Sequence, residues 1–140
     1  MRIIPVHPQP PKPEYNMPFV PAFLVEGGRF LFLAGCGPIP PYHRHPHDPE
    51  EERKWMEGGI REQTRKTFEH IKMILAAVGA DLGNVVKLTI YLSNVSEQDA
   101  VNEVSAHYFG TQNPPPRTVV QVAALNHIDM KIEIDAIAAV

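Results

Sequence analysis

The closing stretch of the sequence, MKIEIDAIAAV, places the strongest constraint on the fold, because apolar residues recur at every second position. A period of two is typical of a β-strand, whose side chains point alternately to the two faces of a sheet. One face receives only apolar side chains: Ile132, Ile134, Ala136 and Ala138. The other face is mixed: Lys131, Glu133, Asp135, Ile137 and Ala139. This second face is too polar for a dry core and too apolar at its end for open water, which predicts burial in an oligomer around a polar pocket.

Upstream, the hydrophobic period changes after Gly59 to that of a helix, which predicts a long amphipathic helix. Its apolar side contains Ile60, Thr64, Phe68, Ile71, Leu75 and Val78. A strand, VVKLTIYL, follows, and then a second helix that begins near Ser96 and ends near Gly110. TVVQVAAL and the closing stretch supply two more strands. The predicted order is β-β-α-β-α-β-β, an α+β domain with the helices on one face of a mixed sheet.

The N-terminal part of the chain contains clustered prolines and two apolar runs. Residues 1–17 are expected to form an extended arm, which leaves residues 18–140 as a single domain. The apolar runs of FVPAFLVEGGRFLFLAG flank Gly27 and Gly28, a pattern that predicts a β-hairpin. The proline-rich stretch over residues 38–56 is longer than most connections in small domains, so we expect a loop that is functional, mobile or part of an interface.

Composition narrows the functional classes. The chain has 140 residues and a net charge of −3, without a basic stripe, so a single domain that does not bind nucleic acid is expected. No stretch is apolar enough for a signal peptide or a membrane span. Cys36 is the single cysteine, which excludes an internal disulfide and favours a reducing compartment. A cytoplasmic location is therefore expected.

Arg117 is the residue whose position most needs an explanation, because it follows three prolines and opens a β-branched strand. It is either a surface cap on the sheet or a clamp for an anion. Glu133 lies in the other C-terminal strand, so the two side chains could meet across the sheet or across a subunit boundary. A guanidinium can grip a carboxylate with two hydrogen bonds, and a nearby carboxylate can hold a water. An ordinary cross-strand salt bridge is the alternative, and the pattern alone favours it.

Two further groups could carry chemistry. His43, His45 and His47 alternate along the long loop and could share a metal ion, but they lie among prolines and no cysteine is near them. We therefore expect a solvated loop and no metal site. Cys36, between two glycines, could be a nucleophile, but no Asp or Glu is close in sequence and a passive small residue is the expected role.

Several short motifs, in order, resemble the RidA/YjgF family of reactive-intermediate deaminases. They are Pro18-Phe19, Phe32-Leu33-Ala34-Gly35, Gln63-Thr64, Leu75, Gly79, Val86-Lys87, Val101-Asn102, Pro116-Arg117-Thr118 and Ile132-Glu133-Ile134-Asp135-Ala136-Ile137-Ala138. The resemblance covers nearly the whole chain after the arm. It implies a chorismate-mutase-like α+β fold that assembles as a homotrimer, with a central barrel and pockets at the subunit interfaces.

The resemblance also implies an activity, the hydrolysis of a 2-imino or 2-enamino acid to a 2-keto acid and ammonia. Carried over from the family motifs, Arg117 binds the substrate carboxylate and Glu133 positions a water near the imine carbon. The remaining substrate-binding positions are Phe19, Ala34, Cys36, Thr118 and Val119. No cofactor is implied, and the expected partners are a small carboxylate substrate and two further copies of the chain.

Departures from the family pattern keep a second function open. Phe19 replaces a tyrosine, and Ala34 and Cys36 replace a serine and a glutamine, so hydroxyl and amide groups are lost from the pocket. Val119 and Ser105 also differ from the residues usual in the family. These losses favour a trimer that binds a keto acid or a similar carboxylate without turnover. Ribonuclease activity, a label that some family members carry, is disfavoured by the acidic balance.

Overall fold

A computed structural model describes all residues from 1 to 140. Six strands and three helices account for most of the ordered backbone. The strands are β1 (Arg2–Val6), β2 (Ala22–Glu26), β3 (Phe30–Phe32), β4 (Val85–Leu92), β5 (Arg117–Gln121) and β6 (Ile132–Ala139). The helices are α1 (Pro49–Met56), α2 (Ile60–Ala76) and α3 (Gln98–Phe109), with short 3₁₀ turns at Pro13–Tyr15, Leu82–Asn84 and Val95–Glu97. The α+β class expected from the sequence is confirmed.

The central sheet has the strand order β3-β6-β4-β5. β5 runs parallel to β4, whereas β6 is antiparallel to both β4 and β3. The two C-terminal strands are therefore not neighbours, which corrects the expectation that β5 and β6 lie side by side. The physical reason is the long connection through α3, which returns the chain to the far side of β4 in the same direction.

The expected hairpin across Gly27 and Gly28 is wrong. β2 pairs with β1 in a separate two-stranded sheet, and β3 pairs with β6. Both glycines have positive φ, as a tight turn requires, but the turn sends the chain from one sheet to the other. The N-terminal arm is also not free of regular structure, since residues 2–6 form β1 and pair with β2. Each of these strands pairs with a strand elsewhere in the chain, and the turn residues between β2 and β3 do not indicate which strand that is.

Helices α2 and α3 cover one face of the central sheet, as predicted. The buried side of α2 includes Phe68, Ile71 and Leu75, all with no exposed surface, and α3 adds Val101. The apolar side of β6 packs against them, so that Ile132, Ile134, Ala136 and Ala138 lie in the same core cluster. Fully burying each large apolar side chain contributes about 1.5–3 kcal/mol. The apolar side of β6 is therefore buried in the core, as the alternating pattern predicted.

The stretch over residues 38–56 differs from the expected loop, because its second half is helix α1. Asp48 begins this helix by accepting hydrogen bonds from the backbone N–H groups of Glu50 and Glu51, at 2.8 and 3.3 Å. Pro49 occupies the first helical position, where a missing N–H costs nothing. Sequence reasoning gave weight to the prolines of this stretch and missed the N-cap signal.

The opposite face of the central sheet has no helix over it. At the β3 end of this face lie Phe30 and Phe32, which are 58% and 73% exposed. Polar side chains of β4 and β6 occupy its other end, including Tyr91, Glu133 and Asp135. We refer to this surface as the open face. None of the helices combines the length and hydropathy that crossing a bilayer would require.

Candidate functional site

Arg117 lies at the first position of β5, held there by the prolines before it. Pro114 and Pro115 are buried, and the carbonyl of Pro116 accepts a hydrogen bond from the N–H of Leu88 at 3.0 Å. In the register of the sheet, Arg117 is paired with Leu88, a core residue. Its side chain therefore emerges on the helix-covered face, and its Nη2 donates to Oδ1 of Asn102 on α3. Chain direction and strand pairing thus fix this guanidinium at the edge of the sheet.

The guanidinium of Arg117 is only partly satisfied. Its Nε and Nη1 are buried and have no hydrogen-bond acceptor in the protein, and the Ser105 hydroxyl on α3 is in the same condition. Burial lowers the pKa of Arg117, because removing the group from water disfavours its charged form. A buried, unpaired donor costs about 1–3 kcal/mol, more when it is charged. A residue placed in this way gains free energy from any anion that reaches it.

Asn102 connects Arg117 to an open cavity. The cavity has a volume of about 460 Å³, and its lining includes Asn102, Asp99 and residues 16–18 of the N-terminal segment. Just after that segment, the N–H of Val20 donates a hydrogen bond to the carbonyl of Pro114 at 2.9 Å, which holds the segment beside the start of β5. The sequence contained one signal for Asn102, the Val-Asn pair among the family motifs, but its contact with Arg117 could not be read from their spacing.

Glu133 lies on the open face. Its register partner is Tyr91, and its neighbours in sequence, Ile132 and Ile134, point into the core. Burial, and to a lesser extent the negative charge of Asp135, raises the pKa of Glu133 above its ordinary value. Oδ2 of Asp135 is held by the Tyr91 hydroxyl, which donates to it at 3.0 Å. A carboxyl with a raised pKa is a stronger base when it is ionised, which suits it to accepting a proton from a bound water.

Gly35 explains how closely the backbone approaches Glu133. A Cβ at this position would lie 2.6 Å from Oε1 of Glu133 and 3.2 Å from Oδ1 of Asp135. The segment after β3 therefore forms one wall beside the carboxylate. Cys36 continues this wall by pairing with Ile134, through N–H···O=C bonds of 2.9 and 2.8 Å.

Cys36 is unsuited to nucleophilic catalysis in this position. Burial, with the nearby charges of Glu133 and Asp135, raises the pKa of its thiol to about 11. The thiol points toward the carbonyl of Ala34, at 3.5 Å from the oxygen. At neutral pH the group is a protonated thiol and not the reactive thiolate. The expected passive role agrees with this geometry.

The other predicted site residues are divided between the two faces. Thr118 is exposed on the open face, where its hydroxyl oxygen accepts from Nζ of Lys87 at 3.0 Å. Val119 packs against the core, beside Ile90 in the register. Phe19 is half-buried in the N-terminal segment, whereas Ala34 is exposed beside Gly35. One protomer therefore does not bring all of the predicted residues into a single pocket.

The long loop departs from the expected solvated state. One ring nitrogen from each of His43, His45 and His47 lies within 4.8 Å of the others, which is a spacing compatible with a shared metal ion. Trp55 packs edge-on against His43 and His47, at ring-centroid distances of 5.3 and 5.4 Å. Glu52 lies beside them, and hydrogen bonds from His47 and His127 lower its pKa. The prolines suggested a solvated loop, but the three imidazoles form a packed cluster.

The helix-backed sheet, the Pro-Arg opening of β5 and the glutamate on β6 together define a class of small α+β proteins with a half-buried arginine at the edge of the sheet. The family model described as Endoribonuclease L-PSP matches residues 11–140. The chain belongs to this family, also named RidA/YjgF. The family expected from the sequence motifs is confirmed.

Individual relatives carry related names. A RutC family protein of Pyrococcus horikoshii is 40% identical over 114 residues, which cover 81% of this chain and 82% of that protein. A human 2-iminobutanoate/2-iminopropanoate deaminase is 40% identical over 81 residues, 58% of each chain.

Solved structures agree in fold. A member of the YjgF/YER057c/UK114 family from Mycobacterium tuberculosis is 26% identical, with a TM-score of 0.65, and the match covers 99% of this chain and 100% of that one. RidA from the Antarctic bacterium Psychrobacter is 31% identical, with a TM-score of 0.64, and the match covers 83% of this chain and 85% of that one. The names of the relatives support reactive-intermediate deamination as the general function of the group.

Proposed function

We propose that this protein hydrolyses a reactive 2-imino or 2-enamino carboxylate to a 2-keto acid and ammonia. The observation that carries the proposal is the unsatisfied guanidinium of Arg117, whose Nε and Nη1 have no acceptor in the protein. In a member of a family that includes deaminases, the carboxylate of such a substrate is the acceptor that fits. A planar fork of N–H donors binds a carboxylate bidentately, and a lysine cannot do so.

Glu133 supplies the second function of the site. Water adds to C2 of the protonated imine. The C–N bond of the resulting carbinolamine then breaks as its hydroxyl proton passes to solvent, and the products are the keto acid and ammonia. Glu133 holds the attacking water, accepts its proton and returns a proton to the departing nitrogen. Its raised pKa makes the ionised carboxylate a stronger base toward that water than an ordinary glutamate would be. The protein contributes mainly orientation and charge, since these substrates also hydrolyse in water.

The pocket in this proposal forms between copies of the chain. Arg117 emerges on the helix-covered side of its own sheet, and Glu133 emerges on the open face. The exposed Phe30 and Phe32 give the open face an apolar surface suited to contact with another copy. We therefore propose a homotrimer whose open faces line a central barrel, located in the cytoplasm, where Cys36 stays reduced.

A second candidate is a trimer that binds a keto acid or a related carboxylate without turnover. The specific observation in its favour is the apolar character of Phe19 and Ala34, which provide no hydroxyl to orient a substrate. The two candidates share Arg117 and differ in the role of Glu133. Endoribonuclease activity, the label in the family description, fits this chain less well, because a net charge of −3 suits a phosphate backbone poorly.

The test measures binding and turnover separately. Imino acids are generated in situ by an amino-acid oxidase and trapped with semicarbazide, and a deaminase lowers the yield of semicarbazone. Keto-acid binding is measured by calorimetry on the same preparation. Glu133→Gln is expected to lose turnover while it keeps binding. Binding without turnover in the unmutated protein would select the second candidate, and absence of both would refute the carboxylate site.

A further inference from the structure

The three histidines of the long loop are arranged as ligands of one ion. Nε2 of His43 lies 3.1 Å from Nε2 of His45, and one nitrogen of His47 lies within 4.8 Å of both. Two imidazole nitrogens on a tetrahedral zinc, each about 2.0–2.1 Å from the metal, are separated by roughly 3.3 Å. The His43–His45 spacing is close to that value before any ion is considered.

The hydrogen-bond partner of His43 sets its tautomer. Nδ1 of His43 lies 2.8 Å from the carbonyl oxygen of Pro40, and a carbonyl can only accept. Nδ1 therefore carries the proton in the neutral ring, and Nε2 keeps its lone pair. This lone pair accepts a hydrogen bond from Nε2 of His45 at 3.1 Å, and a cation bound between the two rings would take the place of that proton. A metal-ligating histidine has the same arrangement, with one nitrogen on the ion and the other donating to a carbonyl or carboxylate.

His47 is held in the same way by a carboxylate. Its Nδ1 donates to Oε2 of Glu52 at 2.6 Å, which leaves Nε2 free to bind a cation. The other oxygen of Glu52 accepts from Nε2 of His127 at 2.7 Å. His127 is oriented in turn by the backbone N–H of Asp129, which donates to its Nδ1 at 3.0 Å. Glu52 is thus fixed from both sides, and it fixes His47.

Helix α1 packs against one side of the cluster. Helix α1, whose N-cap Asp48 directly follows His47, carries both Glu52 and Trp55. The indole of Trp55 packs against His43 and His47, so one side of the cluster is apolar. His45 is exposed and leaves the remaining side open to solvent. A bound ion would therefore keep at least one position for water or for an external ligand.

From these contacts we infer that His43, His45 and His47 bind one divalent transition-metal ion, with Glu52 as the carboxylate that orients His47. Three neutral imidazoles and no carboxylate in the ligand set suit zinc, cobalt, nickel or copper, and they disfavour calcium and magnesium. Neither the deaminase proposal nor the family membership assigns this site. It also revises the expectation, drawn from the sequence alone, that the histidine run is a solvated loop without metal.

The experiment uses full-length protein without a histidine tag, dialysed against a chelator and then titrated with Zn²⁺ in competition with a chromophoric chelator. We expect one equivalent per chain. His43→Gln and His47→Gln should each lower the affinity at least about 100-fold, and Glu52→Gln about 10–100-fold, the usual effect of losing a carboxylate behind a ligand. His107→Gln, on α3, and Glu50→Gln, on α1 but outside the cluster, are the matched controls and should leave the affinity unchanged.

Cobalt provides a readout that needs no substitution. Co²⁺ bound by three imidazoles and a water should give the visible absorption bands of a tetrahedral site, and Zn²⁺ should displace them. An affinity for Zn²⁺ that is no higher than that of the His43→Gln variant, or one that is unchanged by both His43→Gln and His47→Gln, would overturn the proposal. So would an octahedral, weakly absorbing cobalt spectrum, which would indicate adventitious surface binding.

Discussion

Arg117 and Glu133 lie on opposite faces of the four-stranded sheet. Arg117 is paired with the core residue Leu88, and Glu133 is paired with Tyr91 on the open face. The strand β4 separates them, so they do not form the cross-strand salt bridge that the sequence pattern allowed. If both act on one substrate, the simplest arrangement is that one copy supplies the arginine and a neighbouring copy supplies the glutamate.

Hybrid trimers should therefore recover activity. Arg117→Ala and Glu133→Gln chains are each expected to be inactive alone, but co-expression in equal amounts should restore about one quarter of the wild-type turnover, because one interface in four combines the two intact residues. Turnover is measured on the unfractionated co-expressed protein, and charge tags on the two chains verify that hybrids have formed. Co-expression of two differently tagged Arg117→Ala chains is the control and should restore nothing. Hybrids without any recovery would place both residues in the same copy.

Arg117→Lys should weaken keto-acid binding by roughly 1.5–3 kcal/mol, the range for a hydrogen bond to a charged group. Lysine keeps the charge but loses the bidentate fork. Calorimetry with 2-ketobutyrate measures the change, and light scattering checks that assembly is unaffected. Arg61→Lys is the matched control, because Arg61 forms an exposed pair with Glu103 at 2.8 Å and should not affect binding. A lower melting temperature of the ligand-free variant with unchanged binding would indicate a purely structural Arg117.

The pH dependence of turnover should report Glu133. Burial first, and the charge of Asp135 second, raise its pKa, so turnover should fall as the pH drops through that value and the base becomes protonated. Asp135→Asn removes one negative charge beside Glu133 and should move this acid limb to lower pH. The amide oxygen can still accept from Tyr91, so the local hydrogen bond is kept. A limb that stays in place, or moves to higher pH, would mean that another group titrates.

Restoring the hydroxyl groups tests the choice between the two candidate functions. Phe19→Tyr combined with Ala34→Ser should increase the hydrolysis of 2-iminobutyrate if these positions limit turnover. Ala34 is exposed beside Gly35, so a serine there adds a hydroxyl without a clash in the core. The measurement is the rate of semicarbazone suppression relative to wild type. An unchanged rate would assign the control of substrate choice to the long loop or to Val119.

Local pattern predicted the elements of this fold, but not how they pair. The spacing of Phe68, Ile71 and Leu75 was enough for α2, because a helix is stabilised by contacts along its own face. The pairing of β3 with β6 joins residues about a hundred positions apart, and no turn signal near Gly27 could reveal it. The cross-strand contact predicted between Arg117 and Glu133 was wrong for the same reason, because β4 lies between their strands.

The histidine cluster shows the same limit in another form. Alternating histidines in the sequence allowed a metal site, but Glu52 and His127, which fix the cluster, lie at other points of the chain. Prolines beside His43 and His47 suggested a mobile segment. A carbonyl acceptor at Pro40 and the N-cap of α1 at Asp48 instead give the segment a defined shape. The sequence alone therefore could not distinguish three histidines arranged around one ion from three histidines in a solvated loop.

The last prediction concerns the wall beside Glu133. Gly35→Ala would place a methyl group 2.6 Å from Oε1 of Glu133, too close for the carboxylate to keep its position. The carboxylate is the free end of a side chain and can move, so little stability should be lost and the melting temperature should stay close to that of wild type. Turnover should fall at least about 10-fold, because a water held by a displaced base no longer faces the imine carbon.

Keto-acid affinity separates this effect from general damage to the pocket. It should change little in Gly35→Ala, since Arg117 holds the carboxylate independently of Glu133. Gly59→Ala is the matched control, because a methyl group there meets no atom within 4 Å and φ at Gly59 is negative. If Gly35→Ala retains full turnover, Glu133 is not the residue that positions the water, and the catalytic role proposed for it fails while the arginine clamp stands.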